Sequence, residues 1–346
     1  MDTLKNRRVI VVGGAGFIGH QLAVRLKKLG ASVTIIDSLM INNYYHYMNN
    51  RHMPNADLYL GFIQDRLDLI REHEIPMLEV DARDYHRVCD VINDTPGDTL
   101  IHLAAVAHAN KSNRDPYSTF DHSLRTLENT LDVSRSPNND IDHFVYFSSS
   151  MVYGNFAVEP ITEDTACDPI GIYGALKYCG ERMVRAYNQV FELPYTILRP
   201  SALYGERCVS QRVGQLFIEA TLRGEDVVIS GDGSDRLDFT YIGDLVNGVV
   251  KMLQSERSKN EIFNLTYGQG RSLLDLVEIL RGEYPDVSIK YQHKEKLMPR
   301  RGSLSVEKAR KEVGYEPEYP LERGLVQYLR WSESVMASVR DLTKNR

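Results

Sequence analysis

Short, almost wholly apolar runs rich in β-branched residues recur through the first two hundred positions. They fall at 9–12, 31–36, 77–80, 99–103, 143–147 and 195–198. Between them lie stretches whose apolar residues return every three or four places, at 21–29, 84–93, 115–134 and 173–191. The first kind of run predicts strands buried on both faces, the second amphipathic helices. Strands regularly separated by helices predict a doubly wound, Rossmann-type parallel α/β sheet. Asp115-Pro116 marks the start of the 115–134 helix, because proline suits a first helical turn. Residues 38–73 break the rhythm, with one helix predicted over 60–71.

Beyond Arg199 the alternation ends. Short strands at 227–229 and 262–265, the turn Gly231-Asp232-Gly233 and helices at 213–223, 273–281, 305–313 and 321–340 predict a smaller mixed α/β lobe. In an open α/β sheet such a lobe covers the carboxyl ends of the strands, where ligands bind. The helical spacing at 244–253 suggests a return to the main layer. The expected organisation is therefore a dinucleotide-binding domain over 1–200 that takes back about 238–255, and a discontinuous substrate lobe over 201–346.

Chemistry enters at the end of the first strand. Val9–Val12 runs into Gly13-Gly14-Ala15-Gly16-Phe17-Ile18-Gly19. Gly13 permits a tight turn, Gly16 lets a phosphate approach the backbone, and Gly19 lets the following helix pack close. The bare N–H groups of that helix suit a diphosphate. The second strand ends at Asp37, about 20 residues on, where a carboxylate accepts from a ribose 2′-OH and repels a 2′-phosphate. No arginine follows it directly, so the expected cofactor is NAD rather than its phosphorylated form.

Composition narrows the partners. The 346 residues carry a formal net charge of −6, which gives no electrostatic reason for a nucleic acid or an anionic membrane as partner. Four cysteines, Cys89, Cys167, Cys179 and Cys208, have neither disulfide-framework nor metal-ligand spacing, and no metal site is expected. Free thiols and the absence of any leader-like or 18-residue apolar stretch predict a cytoplasmic protein.

Tyr173 and Lys177 stand four residues apart on a predicted helix, hence on one face. An ammonium beside a phenol favours the phenolate, which makes Tyr173 a candidate general base. Ser148-Ser149-Ser150 follows a predicted parallel strand directly, so a hydroxyl there can meet a substrate hydroxyl or a developing oxyanion.

With these residues the chain resembles the extended short-chain dehydrogenase/reductases that act on nucleotide sugars, most closely UDP-sugar 4-epimerases. The likeness spans about 7–330. It rests on the Gly13–Gly19 turn, Asp37, Asp81, His102-Leu103-Ala104-Ala105, Ser148-Ser149-Ser150-Met151-Val152-Tyr153-Gly154, Tyr173 with Lys177, Leu198-Arg199-Pro200, Tyr204-Gly205 and the 238–244 stretch from Asp238 to Asp244. The resemblance implies that Tyr173 is the base and acid, Lys177 holds the nicotinamide ribose, and Ser149 bonds the reacting hydroxyl. It puts Asp81 and Ala82 against adenine, and Leu103, Ala104, Ala105 and Pro200 along the dinucleotide. Gly13, Gly16, Phe17, Ile18, Gly19 and Asp37 complete the cofactor set. The candidate substrate residues are Ser149, Ser150, Met151, Tyr204, Arg207, Arg236 and Arg301, the arginines because a guanidinium fork matches phosphate oxygens. The likeness also implies a homodimer, formed through the 115–134 and 173–191 helices.

Dehydratases and decarboxylating relatives typically carry a carboxylate where this chain has Met151, and a thioether moves no proton. Oxidation followed by hydride return to the other face remains, giving an expected NAD-dependent nucleotide-sugar epimerase acting at C4 through a 4-keto sugar. A C4 dehydrogenase, a dehydratase or decarboxylase of the same family, and a non-catalytic dinucleotide sensor are the alternatives. The chain departs from the family pattern on the sugar-nucleotide side. Ala202 stands for an asparagine that commonly touches substrate phosphate, Ser123 for another asparagine, and Leu237 for an arginine, with Arg236 one residue early. An acidic residue usual after Arg-x-Gly is replaced by Ser303. His102 is expected to pack, Trp331 to anchor the C-terminal helix, and His108 and Lys111 lie near the expected substrate entrance.

Overall fold

A computed structural model describes residues 4–53, 55–293 and 297–344, with side chains described through Met336. Its strands are β1 (Arg8–Val12), β2 (Ser32–Asp37), β3 (Met77–Glu79), β4 (Thr99–His102), β5 (His143–Phe147), β6 (Tyr195–Arg199), β7 (Leu203–Tyr204), β8 (Val227–Ser230), β9 (Arg236–Asp238), β10 (Thr240–Tyr241), β11 (Glu261–Asn264), β12 (Gly270–Ser272) and β13 (Ile289–Gln292). Its α-helices are α1 (Phe17–Lys28), α2 (Tyr44–Asn49), α3 (Ala56–Glu72), α4 (Tyr85–Asp94), α5 (Ala109–Arg114), α6 (Pro116–Phe120), α7 (Thr126–Ser134), α8 (Gly171–Phe191), α9 (Val213–Arg223), α10 (Ile242–Leu253), α11 (Leu273–Glu283), α12 (Glu307–Val313) and α13 (Leu321–Lys344).

Seven parallel strands form the central sheet in the order β11-β6-β5-β4-β1-β2-β3. Alternation along β1 shows why both faces are covered. Val9 and Val11 enter one apolar cluster with Ile35, Ile101 and Val145, while Ile10 and Val12 enter another with Ile36, Leu100 and Phe144. Successive side chains on a strand point to opposite faces, so one all-apolar tetrapeptide serves two helical layers. Each wholly buried aliphatic side chain contributes about 1.5–3 kcal/mol of transfer free energy.

Two elements differ from the sequence reading. The 261–264 strand, expected in the lobe, is the seventh strand of the main sheet, with Ile262 opposite Ile197. It gets there because α10 returns from the lobe and packs on α1. The expected single helix over 115–134 has a wider π-helical turn at Asp121–Arg125 between α6 and α7. Ser123 lies in that turn, and its hydroxyl accepts the Val106 N–H at 3.3 Å, on the loop that leaves β4.

The segment after Asp37 is more ordered than its composition suggested. α3 runs 17 residues and buries Tyr59, Phe62, Ile63, Arg66 and Ile70 at helical spacing. Phe62 meets Trp331 of α13 at 4.8 Å between ring centroids, so Trp331 does anchor the C-terminal helix. The remaining described strands pair in twos, β7 with β10, β9 with β12 and β8 with β13. No helix among the described residues is long and apolar enough to cross a membrane.

Candidate active site

The turn after β1 is fixed by lack of room. Gly13 has φ +84°, and a Cβ there would stand 2.7 Å from the Ala104 backbone nitrogen. A Cβ on Gly19 would stand 2.6 Å from the Gly13 carbonyl oxygen. Such approaches exclude any side chain. Gly16 is the N-cap of α1, with no side-chain cap and no acidic residue in the first turn, so that helix end presents free N–H groups and a positive dipole. Leu103 hydrogen-bonds from its N–H to the Val12 carbonyl at 2.8 Å, and Ala104 accepts from Thr126 Oγ1 at 3.1 Å. Ala105 is buried, as is Phe17, and Ile18 packs partly buried against the core.

Asp37 also braces this turn. Its carboxylate accepts the Ala15 N–H at 2.9 Å and the Leu39 N–H at 2.7 Å. Burial pushes its pKa up, and those two N–H bonds oppose the rise. Arg66, wholly buried on α3, was not foreseen. It donates to the Ala15 carbonyl at 3.4 Å, to Asn42 Oδ1 at 3.0 Å and to the Arg207 carbonyl at 3.0 Å. Burial lowers its pKa to about 10. The available signal was an arginine in register with Tyr59, Phe62, Ile63 and Ile70 on the apolar face of α3.

At the far end of the same edge a cavity of about 550 Å³ is lined by Ser38, Leu39, Met40, Tyr45, Glu79 and Asp81, among others. Asp81 holds Arg83 at 2.6 Å, and the Ala82 carbonyl accepts Asn129 Nδ2 at 2.9 Å. The close glycine turn, the uncapped helix end, Asp37 and this cavity together fit a bound dinucleotide.

The second group gathers at the end of β5. Lys177 is 6% exposed, and its ammonium donates to the Phe147 carbonyl at 2.6 Å. It also lies 5.1 Å from the Tyr146 ring centroid. Burial lowers its pKa to about 8, Glu181 opposes the fall and Arg212 adds to it. Tyr173 sits in the first turn of α8. That turn is set by Gly171 at φ +77° and by the Ile172 N–H on Asn113 Oδ1 at 3.1 Å. Gly174, the next residue, lets α8 close on the serine segment, since a Cβ there would lie 2.7 Å from the Met151 carbonyl. Ser149 is 7% exposed and its hydroxyl accepts the Met151 N–H at 3.2 Å. The Ser150 N–H reaches the buried Pro200 carbonyl at 2.9 Å, and Met151 is itself buried.

A buried network behind this group was also missed. Arg199 forks onto Glu181 at 2.8 and 2.7 Å, Ser148 donates to Glu181 at 2.5 Å, and Arg199 also reaches the Tyr153 hydroxyl at 2.8 Å. Arg199 lies one residue before Pro200 and Glu181 one helical turn beyond Lys177, so the signal was spacing within recognised motifs.

The substrate candidates divide. Tyr204 is core: its ring meets Tyr241 at 5.7 Å, and its hydroxyl abuts Gly324 of α13. Arg207 is bound to Asp65 at 2.6 Å and lies over Trp331, because α3 of the insertion offers it a carboxylate and α13 a ring. Arg236 is taken by Glu159 at 3.2 Å and the Gly270 carbonyl at 3.0 Å, its strand face being set by the register of β9 with β12. The two arginines are thereby committed to partners within the protein, whereas the buried Tyr204 hydroxyl has no hydrogen-bond partner. Arg301 differs: it is half-buried, its Nε is enclosed without a partner, and burial of the guanidinium lowers its pKa to about 10. Arg212, at the N-cap of α9, was not foreseen and also has a buried, unpartnered Nε. His102 packs in the core with its ring on Thr130 Oγ1 at 3.0 Å, and burial lowers its pKa to about 3. His108 accepts the Lys111 N–H at 3.4 Å as the N-cap of α5.

A doubly wound sheet with a glycine turn on one side of its carboxyl edge and a Tyr–Lys–Ser group on the other defines a nicotinamide-dependent enzyme working on a polar carbon centre. The model of the NAD dependent epimerase/dehydratase family matches residues 9–266, and the chain belongs to that family. Its cofactor is accordingly NAD. The chain is 29% identical over 335 residues to a putative UDP-glucose 4-epimerase of Methanocaldococcus jannaschii, covering 94% of this chain and 98% of that protein. It is 28% identical over 344 residues to UDP-glucuronate 4-epimerase 2 of Arabidopsis thaliana, covering 93% of this chain and 75% of that one. Among solved structures, the UDP-glucose 4-epimerase of Thermotoga maritima with UDP-glucose superimposes with a TM-score of 0.78 at 26% identity, over 95% of this chain and 99% of that one. The UDP-glucuronic acid 4-epimerase of Bacillus cereus, in complex with UDP-glucuronic acid and NAD, shares the fold with a TM-score of 0.81 at 23% identity, over 95% and 99%.

Proposed function

We infer that the protein is an NAD-dependent nucleotide-sugar 4-epimerase that works through a transient 4-keto sugar. The observation that carries this is the junction of β5 with α8, where the turn bearing Tyr173 closes on the Met151 carbonyl, two residues after Ser149, and Lys177 lies buried against Phe147. Met151, buried where a dehydratase carboxylate is expected, favours epimerisation because it moves no proton.

In this reading the phenol of Tyr173 takes the proton from the C4 hydroxyl and later returns it. Hydride acceptance and return at C4 is the chemistry that NAD supplies when bound. Ser149 bonds the C4 oxygen as its charge changes, and Lys177 keeps positive charge beside the phenol. Lys177 has little freedom to leave, because its ammonium is tied to the Phe147 carbonyl. The glycine turn, Asp37 and Asp81 hold the dinucleotide. The lobe closes water out while the ketone turns over in the pocket.

Exposed apolar side chains on the long helices, Tyr117 at 85% and Val190 at 69%, support pairing of two copies across α6, α7 and α8. Cys89, Cys167, Cys179 and Cys208 are all free thiols, which fits a reducing cytoplasm. The test is incubation of the purified protein with UDP-glucose, UDP-glucuronate and UDP-N-acetylglucosamine without added reductant, read by NMR. Formation of the 4-epimer of one of them with no net NADH is expected. Stoichiometric NADH with a released keto sugar overturns the reading.

A further inference from the structure

We propose that Ser148 and Glu181 are positioning residues of the reaction centre, fixing the register of α8 on the end of β5 and keeping a negative charge one helical turn from Lys177. This deepens the epimerase reading and rests on it. The spacing along α8 comes first. Tyr173, Lys177 and Glu181 stand four residues apart, so their side chains follow one another along a single face. The end of β5 presents their partners in the same order. The Lys177 ammonium donates to the Phe147 carbonyl at 2.6 Å, and the Glu181 carboxylate accepts the Ser148 hydroxyl at 2.5 Å. Two successive turns of helix thus hold two successive residues, and Ser149 is the next one along.

Apolar packing has no direction and does not by itself fix such a register. Gly174 and Gly180 let α8 lie flush on the Met151 carbonyl and the Tyr146 hydroxyl. The Ser148–Glu181 bond is the directed contact that keeps the helix from sliding there. Glu181 is held from behind. Arg199 forks onto both its oxygens from β6, the strand beside β5. The same guanidinium reaches the Tyr153 hydroxyl, which donates to Asn264 Oδ1 on β11 at 2.8 Å. Ser148, Glu181 and Arg199 are all buried. Taking such a pair out of water costs several kcal/mol per ion, and apolar side chains of similar volume are often as stable in its place. Stability alone therefore gives no reason for charges at this point.

Lys177 gives one. The groups that face it are Tyr173 and Glu181 on its own helix, Tyr146 on β5, His102 on β4 and Arg212 before α9. Glu181 is the one carboxylate among them. Burial lowers the Lys177 pKa to about 8, and the Glu181 charge opposes the fall. An ammonium favours a neighbouring phenolate only while it stays charged, so Glu181 supports Tyr173 through Lys177.

The experiment follows the Lys177 titration by NMR of lysine carrying carbon-13 at Cε, assigned with K177M. It compares NAD-loaded wild type, S148A, E181Q and the double variant E181M/R199M, with kcat and KM against pH for whichever sugar epimerises. E181Q should lower the Lys177 midpoint by about one pH unit and move the alkaline limb of kcat with it. S148A keeps the charge, so the midpoint stays while kcat falls roughly 10- to 100-fold at every pH and KM barely moves. The double variant strands no buried charge and guards against misfolding of E181Q. It should unfold in urea close to wild type and still show the lowered midpoint. A wild-type midpoint in E181Q, or in the double variant where E181Q does not fold, overturns the electrostatic role. Wild-type kcat in S148A overturns the register role. The NMR titration uses no substrate, so a lowered midpoint with no epimer from the wild type removes the epimerase reading alone. Unchanged midpoints and kcat alongside epimer formation remove the positioning proposal alone.

Discussion

The two sides of the cleft are built on different principles. On the dinucleotide side, position is set by clearance: Gly13 and Gly19 leave no space for a Cβ, and Asp37 bonds one backbone N–H in the glycine turn and one in its own. On the sugar side, position is set by which long cation finds which partner. Arg207 goes to Asp65, Arg236 to Glu159, and Arg212 and Arg301 retain unmet donors. Local steric rules leave a mark in sequence order. Pairings between distant elements do not, and a family's substrate can therefore drift while its cofactor stays.

The largest effect expected from breaking this contrast lies where the sides meet. Tyr173→Phe removes the phenol and keeps the ring, so kcat should fall about 10²–10⁴-fold while NAD content is unchanged, read by epimer NMR and the absorbance of released cofactor. Arg199→Met tests the network behind the site. Leaving Glu181 buried without its fork should cost about 3–5 kcal/mol in urea unfolding. Turnover equal to wild type in the first, or stability equal in the second, removes the corresponding role.

A smaller effect sharpens the dinucleotide half. His143 is buried, with its ring on Thr196 Oγ1 at 2.8 Å, and burial lowers its pKa to about 3. The unfolded chain takes up the proton near pH 6.5, so this residue's stabilisation is complete above that value and is lost as pH falls towards 3. At pH 5 the loss is about 2 kcal/mol. His143→Gln should flatten the fall of Tm between pH 7 and pH 5, and an unchanged slope refutes the assignment. The smallest effect belongs to Arg207→Ala. A partly exposed ion pair is worth about 0–1 kcal/mol, and KM for the nucleotide sugar should barely move. A large rise in KM would return Arg207 to the substrate site.

The legible parts of the fold are those with local causes. The apolar tetrapeptide of β1, the proline start of α6 and the spacing of α8 each carried their own element. β11 was misassigned because its run looks alike in a lobe or a sheet, and only the return of α10 onto α1 decides which. Of the site, the glycine turn and the Tyr–Lys pair were readable as motifs. Arg66 was not, because a single arginine in a helix is ordinarily a solvated surface residue, and here it is buried against the Arg207 backbone, 141 positions away.

Arg66 joins three pieces of chain: it ties Ala15 of the glycine turn, Asn42 of the insertion and the Arg207 backbone of the lobe. Swinging the lobe aside to exchange a dinucleotide would tear this rivet out and strand a guanidinium in a greasy interior. If the proposed epimerase chemistry holds, that tie would set cofactor replacement and catalytic cycling on separate clocks, with one dinucleotide serving many rounds of sugar.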